Sequence, residues 1–141
     1  MTRTTPHLDR NGLEVLGPTE CLELLAATPV GRVAFARAGA PMVVPVTHVV
    51  SHGGIAFRST AGSKLDHAIM GRPVAFEVDG FDPDERIGWS VLVTGIADLV
   101  DDEEVEAELD ARGLDPWVEH VAHGPWIHIR ADEISGRRIP G

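Results

Sequence analysis

The sequence predicts a mainly β protein, a barrel of six antiparallel strands that carries about three short helices. Runs of four or more residues rich in Val, Ile and other β-formers recur along the chain, which is typical of strands. Gly, Pro and Asp separate these runs by links of hairpin length. This spacing favours a barrel or sandwich over alternating strand and helix units, and we interpret it as a barrel.

Three segments are predicted as helices. The first begins at Gly17-Pro18 and ends before Thr28-Pro29, because Pro suits the first helical turn. The second begins at Ser63, which forms a capping box with Asp66. The third spans Asp101–Arg112, with acids at its start and Gly113 at its end.

The strand runs are interrupted at two informative places. Pro45 indicates a strand at an edge or a bulge, because Pro cannot donate to a sheet. Gly95 indicates a bulge or a close backbone approach. The predicted strands are Val30–Arg37, Pro41–Val50, Ile55–Ser59, Val74–Asp79, Gly88–Val100 and Trp126–Ile129.

The chain has 141 residues, of which 43% are hydrophobic, so it can bury a core as one domain, predicted over residues 13–141. Met1–Gly12 is polar and is expected to be a disordered lead-in. It lacks the apolar centre of a signal peptide, and no apolar stretch could cross a bilayer. We therefore expect a cytoplasmic protein without a membrane partner.

The content of charged residues, cysteine and histidine argues against several kinds of partner and site. Twelve basic and 22 acidic residues give a net charge of −10, which argues against nucleic acid as a partner. Cys21 is the only cysteine, which excludes an internal disulfide and a multi-cysteine metal site. His120, His123 and His128 lack a metalloprotease pattern, and we predict solvated or hydrogen-bonded histidines and no metal.

Other catalytic signatures are missing or incomplete. There is no dinucleotide fingerprint, and Gly62-Ser63-Lys64 is not a Walker loop. Ser90 lies in the sequence Gly88-Trp-Ser-Val-Leu92, which lacks the second glycine of a nucleophile elbow. No residue stands out as a general acid or base, although His48 is the nearest candidate.

One segment predicts an anion site. A strand ends at Arg58-Ser59, a turn follows at Thr60, and a helix begins at Ser63, so hydroxyls, backbone N–H groups and two cations converge. Lys64 is the only lysine in the chain. The alternative is that Thr60 and Ser63 only cap a helix and that the scarcity of lysine is a bias of composition.

An ensemble of motifs, in order along nearly the whole chain, resembles the pyridoxamine 5′-phosphate oxidase-like proteins, or FMN-binding split barrels, and in particular their small actinobacterial-type members. The motifs are Val30-Gly-Arg-Val-Ala34, Val43-Val-Pro-Val-Thr47, Phe57-Arg-Ser-Thr-Ala-Gly-Ser-Lys-Leu65, Val74-Ala-Phe-Glu-Val-Asp79, Gly88-Trp-Ser-Val-Leu-Val-Thr-Gly95, Pro116-Trp117 and Ile134-Ser-Gly-Arg-Arg138.

The resemblance implies a split barrel of six strands that forms a homodimer with FMN at the subunit interface. It implies three sets of FMN-binding positions: the phosphate and ribityl chain, the ring edge, and a strand from the partner subunit. These are, respectively, Arg58, Ser59, Thr60, Ser63 and Lys64; Val46, Thr47 and His48; and Trp89 with Ser90.

Trp126 and Arg137 resemble the late Trp and Arg of the oxidase itself, but their spacing is one residue longer. The basic residue that starts the flavin strand of the oxidase is also absent, since Met42-Val43-Val44 carries no charge. The resemblance therefore does not extend to oxidation of vitamin B6. It implies an FMN-dependent oxidoreductase with an unknown substrate and electron donor.

Three alternatives stay open. The same fold could bind a deazaflavin cofactor as a reductase, could store or sense flavin without catalysis, or could be a plain interaction domain. The sequence does not decide among them.

Overall fold

The computed structural model describes residues 7–60, 62–115, 117 and 124–141, which form eight strands and three helices. In chain order these are β1 (Glu14–Leu16), α1 (Pro18–Ala27), β2 (Val30–Arg37), β3 (Ala40–Thr47), β4 (Val49–Ser51), β5 (Gly54–Arg58), α2 (Lys64–Ile69), β6 (Arg72–Asp82), β7 (Ile87–Leu99), α3 (Glu103–Ala111) and β8 (Trp126–Arg138).

The strands form one antiparallel sheet in the order β3-β2-β6-β7-β8-β5-β4, with β1 added beside the far end of β8. The sheet curls until β3 contacts β5, which closes a split barrel. The predicted fold class is confirmed. No helix in the described part of the chain is long and apolar enough to cross a membrane.

The core lies inside the curled sheet. Alternate residues of β6 and β7 point inward, so Phe76, Val78, Val91 and Val93 are fully buried. Leu25 belongs to the same cluster and brings α1 against the barrel. A second cluster lies under α3, where Leu109 packs with Ala56 and Trp126.

The strand count differs from the predicted six. The run predicted as one strand over residues 41–50 is two strands, because His48 interrupts it. The His48 N–H bonds to the Pro29 carbonyl at 3.3 Å, and the imidazole turns into the core. β8 also runs nine residues further than the predicted end at Ile129, with Gly136 buried on it.

The structure also differs from the expectation of a disordered lead-in. Residues 7–12 form a turn that folds back on β1, with the Val15 N–H bonded to the His7 carbonyl at 2.7 Å. Asp9 fixes the turn by accepting backbone hydrogen bonds from Asn11 and Leu13. Residues 1–6 lie outside the described residues.

Both predicted irregularities are confirmed. Pro45 lies on β3, which is an edge strand. Gly95 lies at a register shift between β7 and β8, where a Cβ would come within 1.6 Å of the Arg130 carbonyl oxygen. Only glycine fits at this position without a backbone shift.

Candidate functional site

The loop between β5 and α2 uses two of its hydroxyl groups for its own structure. The Oγ of Ser63 accepts a hydrogen bond from the Asp66 N–H at 3.2 Å and so caps α2. Ser59 is 3% exposed, and its hydroxyl donates to the Asp66 carboxylate at 2.5 Å. The predicted cap is therefore confirmed, and Ser59 and Ser63 hold the loop in shape.

Five residues are predicted to hold the flavin phosphate and ribityl chain. Of these, Thr60 and Lys64 have exposed side chains. None of the ion pairs in the described part of the chain includes Lys64. Because the ammonium group has no carboxylate partner there, it is available to an anion.

Lys64 also lines a cavity of about 340 Å³ together with Arg37, His67 and Arg72. We call these four residues the basic groove. Arg37 ends β2 and Arg72 begins β6, so the fold brings together cations that are far apart in sequence. Neither arginine is recognisable as a site residue from the sequence, since neither lies in a local motif.

Arg58 is held by groups on α3 and in the segment before β8. Its Nη1 bonds to the Asp110 carboxylate on α3 at 3.1 Å, and its Nε donates to the Gly124 carbonyl at 2.9 Å. The guanidinium also lies over the ring of Trp126, 5.0 Å from the ring centroid. The structure thus gives Arg58 an acidic partner, Asp110.

Trp126 lies in the cluster under α3 and is 2% exposed. Its indole N–H donates to the same Asp110 carboxylate at 2.8 Å. The side chain therefore has no face open to a ligand in this structure. Trp126 packs under α3, and this position does not support the predicted contact with a cofactor.

Val46, Thr47 and His48 lie where β3 ends. Since β3 pairs on one side only, alternate backbone N–H and C=O groups point away from β2. The Val49–Ala56 pair joins β4 to β5, and β3 contacts β5. The end of β3 therefore lies beside the end of β5, from which the loop to α2 departs.

The His48 side chain belongs to the core. It is 5% exposed, its Nε2 lies 2.9 Å from the Leu25 carbonyl oxygen, and its ring packs edge-on against Phe76. Burial lowers the pKa of His48 below its ordinary value of 6.5. A neutral, enclosed imidazole is poorly placed to exchange protons with a substrate.

Trp89, Ser90 and Arg137 lie together at the other end of the sheet. Ser90 pairs with Arg137 across β7 and β8, and Trp89 covers Gly80, where a Cβ would approach the indole within 2.9 Å. All three residues line one cavity of about 280 Å³. The Arg137 Nε bonds to Asp9 at 3.1 Å, which ties the N-terminal turn to β8.

The predicted site residues thus form two groups at opposite ends of β7. Ala97 pairs with Arg72 of the basic groove, whereas Ser90 lies seven residues earlier. Seven residues of strand span about 23 Å. Ser90 therefore lies far along β7 from the strand pair beside the basic groove.

The sequence pattern of the family described as "Pyridoxamine 5′-phosphate oxidase" matches residues 18–138. The chain belongs to the pyridoxamine 5′-phosphate oxidase family. The match covers every element from α1 to β8, and the resemblance noted in the sequence is confirmed.

The chain is similar to other proteins over most of its length. An uncharacterised protein of Mycobacterium tuberculosis is 38% identical over 142 residues, covering 97% of this chain and 91% of that protein. The FAD-binding protein of Mycobacterium smegmatis has a similar structure, with a TM-score of 0.77, 33% identity, and coverage of 88% and 95% of the two chains. An FAD-binding protein of Mesorhizobium loti gives a TM-score of 0.70 at 26% identity, with coverage of 89% and 96%.

In this family member, the outer face of β3, β2, β6 and β7 carries both apolar and charged side chains. One row across these strands is Pro45, Arg32, Glu77 and Leu92. Burial and the neighbouring carboxyl of Asp79 raise the pKa of Glu77 to about 7, against the opposing effect of Arg32. The face therefore combines exposed apolar side chains with one acid that is readily protonated.

The histidines considered as metal ligands do not form a described cluster. The Nε2 of His128 lies 2.9 Å from the Ser51 carbonyl oxygen, consistent with a hydrogen-bonded histidine. His120 and His123 lie outside the described residues. Within the residues that are described, no group of three or more His, Cys, Asp or Glu side chains could hold a metal ion.

Proposed function

We propose that this protein binds a flavin through the FMN portion of the molecule and acts as a flavin-dependent oxidoreductase in a homodimer. The observation that carries the proposal is the position of Lys64. Among the described residues, the Lys64 ammonium has no acidic partner. Lys64 lies at the end of the loop between β5 and α2, and this loop starts beside the open edge of β3. Membership of the family supports the same site.

The residues present fit a flavin. Thr60 and Lys64 offer a hydroxyl and an ammonium to the phosphate, and the free backbone groups near Val46 and Thr47 match the alternating donors and acceptors along a flavin ring edge. When bound, the flavin supplies hydride and electron transfer, while the protein supplies binding and orientation. Ser59 and Ser63 keep the phosphate loop in shape through Asp66.

The separation of the two groups of site residues supports the homodimer. Ser90 lies about 23 Å along β7 from the pair that joins Ala97 to Arg72, and Trp89 lies one residue further, so they would reach the flavin of a partner subunit. The outer face of β3 and β7 exposes Val43 by 64% and Leu92 by 42%, which gives a second copy an apolar surface to cover. A cytoplasmic location belongs to the same proposal.

A second candidate function is a flavin-binding protein without catalysis. His48, the nearest candidate acid or base, is enclosed and kept neutral by burial. A carrier or sensor needs no proton-transfer residue, and the side-chain position of His48 favours it over mechanisms that need one.

The test begins with the apo protein and titrates FMN, FAD and a deazaflavin, with binding measured by isothermal titration calorimetry. Saturable binding of a flavin supports the proposal, and no binding of any of the three contradicts it. The flavin-loaded protein is then mixed anaerobically with NADH or NADPH. Bleaching of the flavin absorbance supports the oxidoreductase, and a flavin that stays oxidised favours the non-catalytic protein.

A further inference from the structure

An apolar cleft lies at the end of the sheet that carries Trp89 and Ser90. It has a volume of about 370 Å³, and its walls come from the β6–β7 hairpin and from residues at the end of β8 and after it. Three apolar side chains of the cleft are exposed: Phe81 by 78%, Ile87 by 42% and Ile139 by 46%. A protein rarely leaves large apolar side chains together at its surface unless that surface binds something.

The cleft is continuous with the place where the proposed function puts the flavin of the partner. Trp89, Gly88 and Ile139 line both the cleft and the neighbouring cavity of about 280 Å³. That cavity also contains Ser90, which would reach the flavin of the partner subunit. A molecule in the cleft would therefore lie beside the flavin.

Both arginines at the two cavities are already paired with acids. The Arg138 Nη2 lies 2.5 Å from a carboxylate oxygen of Glu20, and its Nη1 lies 3.7 Å from Glu14. The Arg137 Nε bonds to Asp9 at 3.1 Å. The arginines and the lysine of the basic groove, by contrast, take part in no ion pair among the described residues. The paired arginines of the cleft are therefore poorly suited to an anionic ligand.

The acids beside the cleft are engaged as well. The Asp82 carboxylate accepts the backbone N–H groups of Asp84 and Glu85 at 2.9 and 3.2 Å, which fixes the β6–β7 turn. The Asp79 carboxylate lies 3.4 Å from the Arg32 guanidinium. A cationic ligand would have to compete with these bonds.

We propose that the cleft binds the substrate of the flavin enzyme and that this substrate is an uncharged, flat aromatic molecule; the inference rests on the proposed function. The rings of Phe81 and Trp89 line the cleft, and aromatic side chains pack well against other rings. Small-molecule sites are mostly apolar and have volumes in the range of this cleft. A charged group buried there without a partner would cost binding energy, so the cleft selects against it.

The experiment compares two fluorescent probes on the flavin-loaded protein, with binding measured by fluorescence anisotropy. N-Phenyl-1-naphthylamine is uncharged, and 8-anilino-1-naphthalenesulfonate carries a sulfonate on the same ring system. We expect the uncharged probe to bind about tenfold more tightly than the sulfonate. Equal affinities, or tighter binding of the sulfonate, overturn the inference.

Three variants locate the bound probe. Phe81→Ala removes an aromatic wall and Ile139→Asp places a charge in the cleft, so each should weaken the uncharged probe about fivefold. Leu22→Asp introduces the same charge at an exposed position on α1, outside the cleft, and should leave the affinity unchanged. Unchanged affinity in both cleft variants overturns the inference.

Asp9→Asn tests the role of the ion pairs. Asparagine keeps a side-chain oxygen for the N–H groups of Asn11 and Leu13 but removes the counter-charge of Arg137. We expect the sulfonate probe to bind about fivefold more tightly to this variant and the uncharged probe to change by less than about twofold. An unchanged affinity for the sulfonate would overturn the selection against anions.

The remaining outcomes separate the inference from the proposed function. A protein that binds a flavin but not the uncharged probe overturns the inference and leaves the flavin site standing. If no flavin binds, the proposed function falls, and the substrate role of the cleft falls with it. A probe that binds a monomeric Leu92→Arg variant but not a dimeric parent protein would show that a second copy fills the cleft, which also overturns the inference.

Discussion

Arg58 at the end of β5 forms an ion pair with Asp110 on α3, at 3.1 Å between Nη1 and Oδ1. The same carboxylate oxygen accepts the indole N–H of Trp126. Asp110 therefore joins α3 to the barrel and balances the charge of Arg58. Of the two cations in the predicted anion site, only Lys64 is left without an acid among the described residues.

Replacing Asp110 with Ala should destabilise the fold. The change leaves the buried indole N–H of Trp126 without its acceptor and Arg58 without its counter-charge. We expect the free energy of unfolding to fall by about 1–3 kcal/mol in urea denaturation. Glu106→Ala, one turn earlier on the same helix, removes an exposed carboxylate; it is the control and should change the free energy of unfolding by less than about 0.5 kcal/mol. Equal effects would show that Asp110 has no special role.

Glu77 should make the stability fall as the pH rises. Its pKa is about 7 in the folded protein and 4.5 in the unfolded chain, so the folded state binds the proton more tightly over that interval. The free energy of unfolding therefore decreases between about pH 4.5 and pH 7. At higher pH, Glu77 causes no further decrease. Glu77→Gln removes this effect.

The check compares the two proteins by urea denaturation at pH 4.5 and pH 8. The gain in stability of Glu77→Gln over the parent should be larger at pH 8 than at pH 4.5. A difference that does not change with pH would show that Glu77 titrates normally.

His48 should have the opposite effect and make the stability rise with pH. Because burial lowers its pKa, its contribution to stability is present above pH 6.5 and is lost as the pH falls through the folded-state value. In an NMR titration, the His48 ring signal should stay in the neutral form at pH 6.5, where the imidazole of a histidine in an unstructured peptide is half protonated. Titration of the His48 ring in parallel with such a peptide would contradict the buried position.

Leu92→Arg tests the homodimer. A charge placed on the outer face of β7 should prevent a second copy from covering it. Light scattering at micromolar concentration should give a dimer for the parent and a monomer for the variant, with a matching loss of flavin affinity. Leu22→Arg, at a similarly exposed position on α1, should remain a dimer. A monomeric parent protein would refute the shared site.

Much of the fold could be predicted because its determinants are local. Pro45 indicated the edge strand, Gly95 indicated the bulge, and Ser63 indicated the start of α2. Each depends on the conformation or hydrogen bonding of one residue and its near neighbours, which the sequence displays directly.

The site was less predictable because its partners are distant in the chain. The pairing of Arg58 with Asp110 spans 52 residues, and the contact of His48 with Leu25 spans 23. The basic groove likewise depends on the register that places Arg37 and Arg72 beside α2. No periodicity or motif encodes these contacts, and only the folded sheet brings them together.

The most direct test of the central claim is the affinity of apo Lys64→Ala for FMN, measured by isothermal titration calorimetry. If the lone lysine holds the flavin phosphate, the variant should bind FMN more weakly by about 1.5–3 kcal/mol, with little change in the free energy of unfolding. Lys64→Arg should keep most of the affinity. An FMN affinity for Lys64→Ala equal to that of the parent protein would contradict the proposed site.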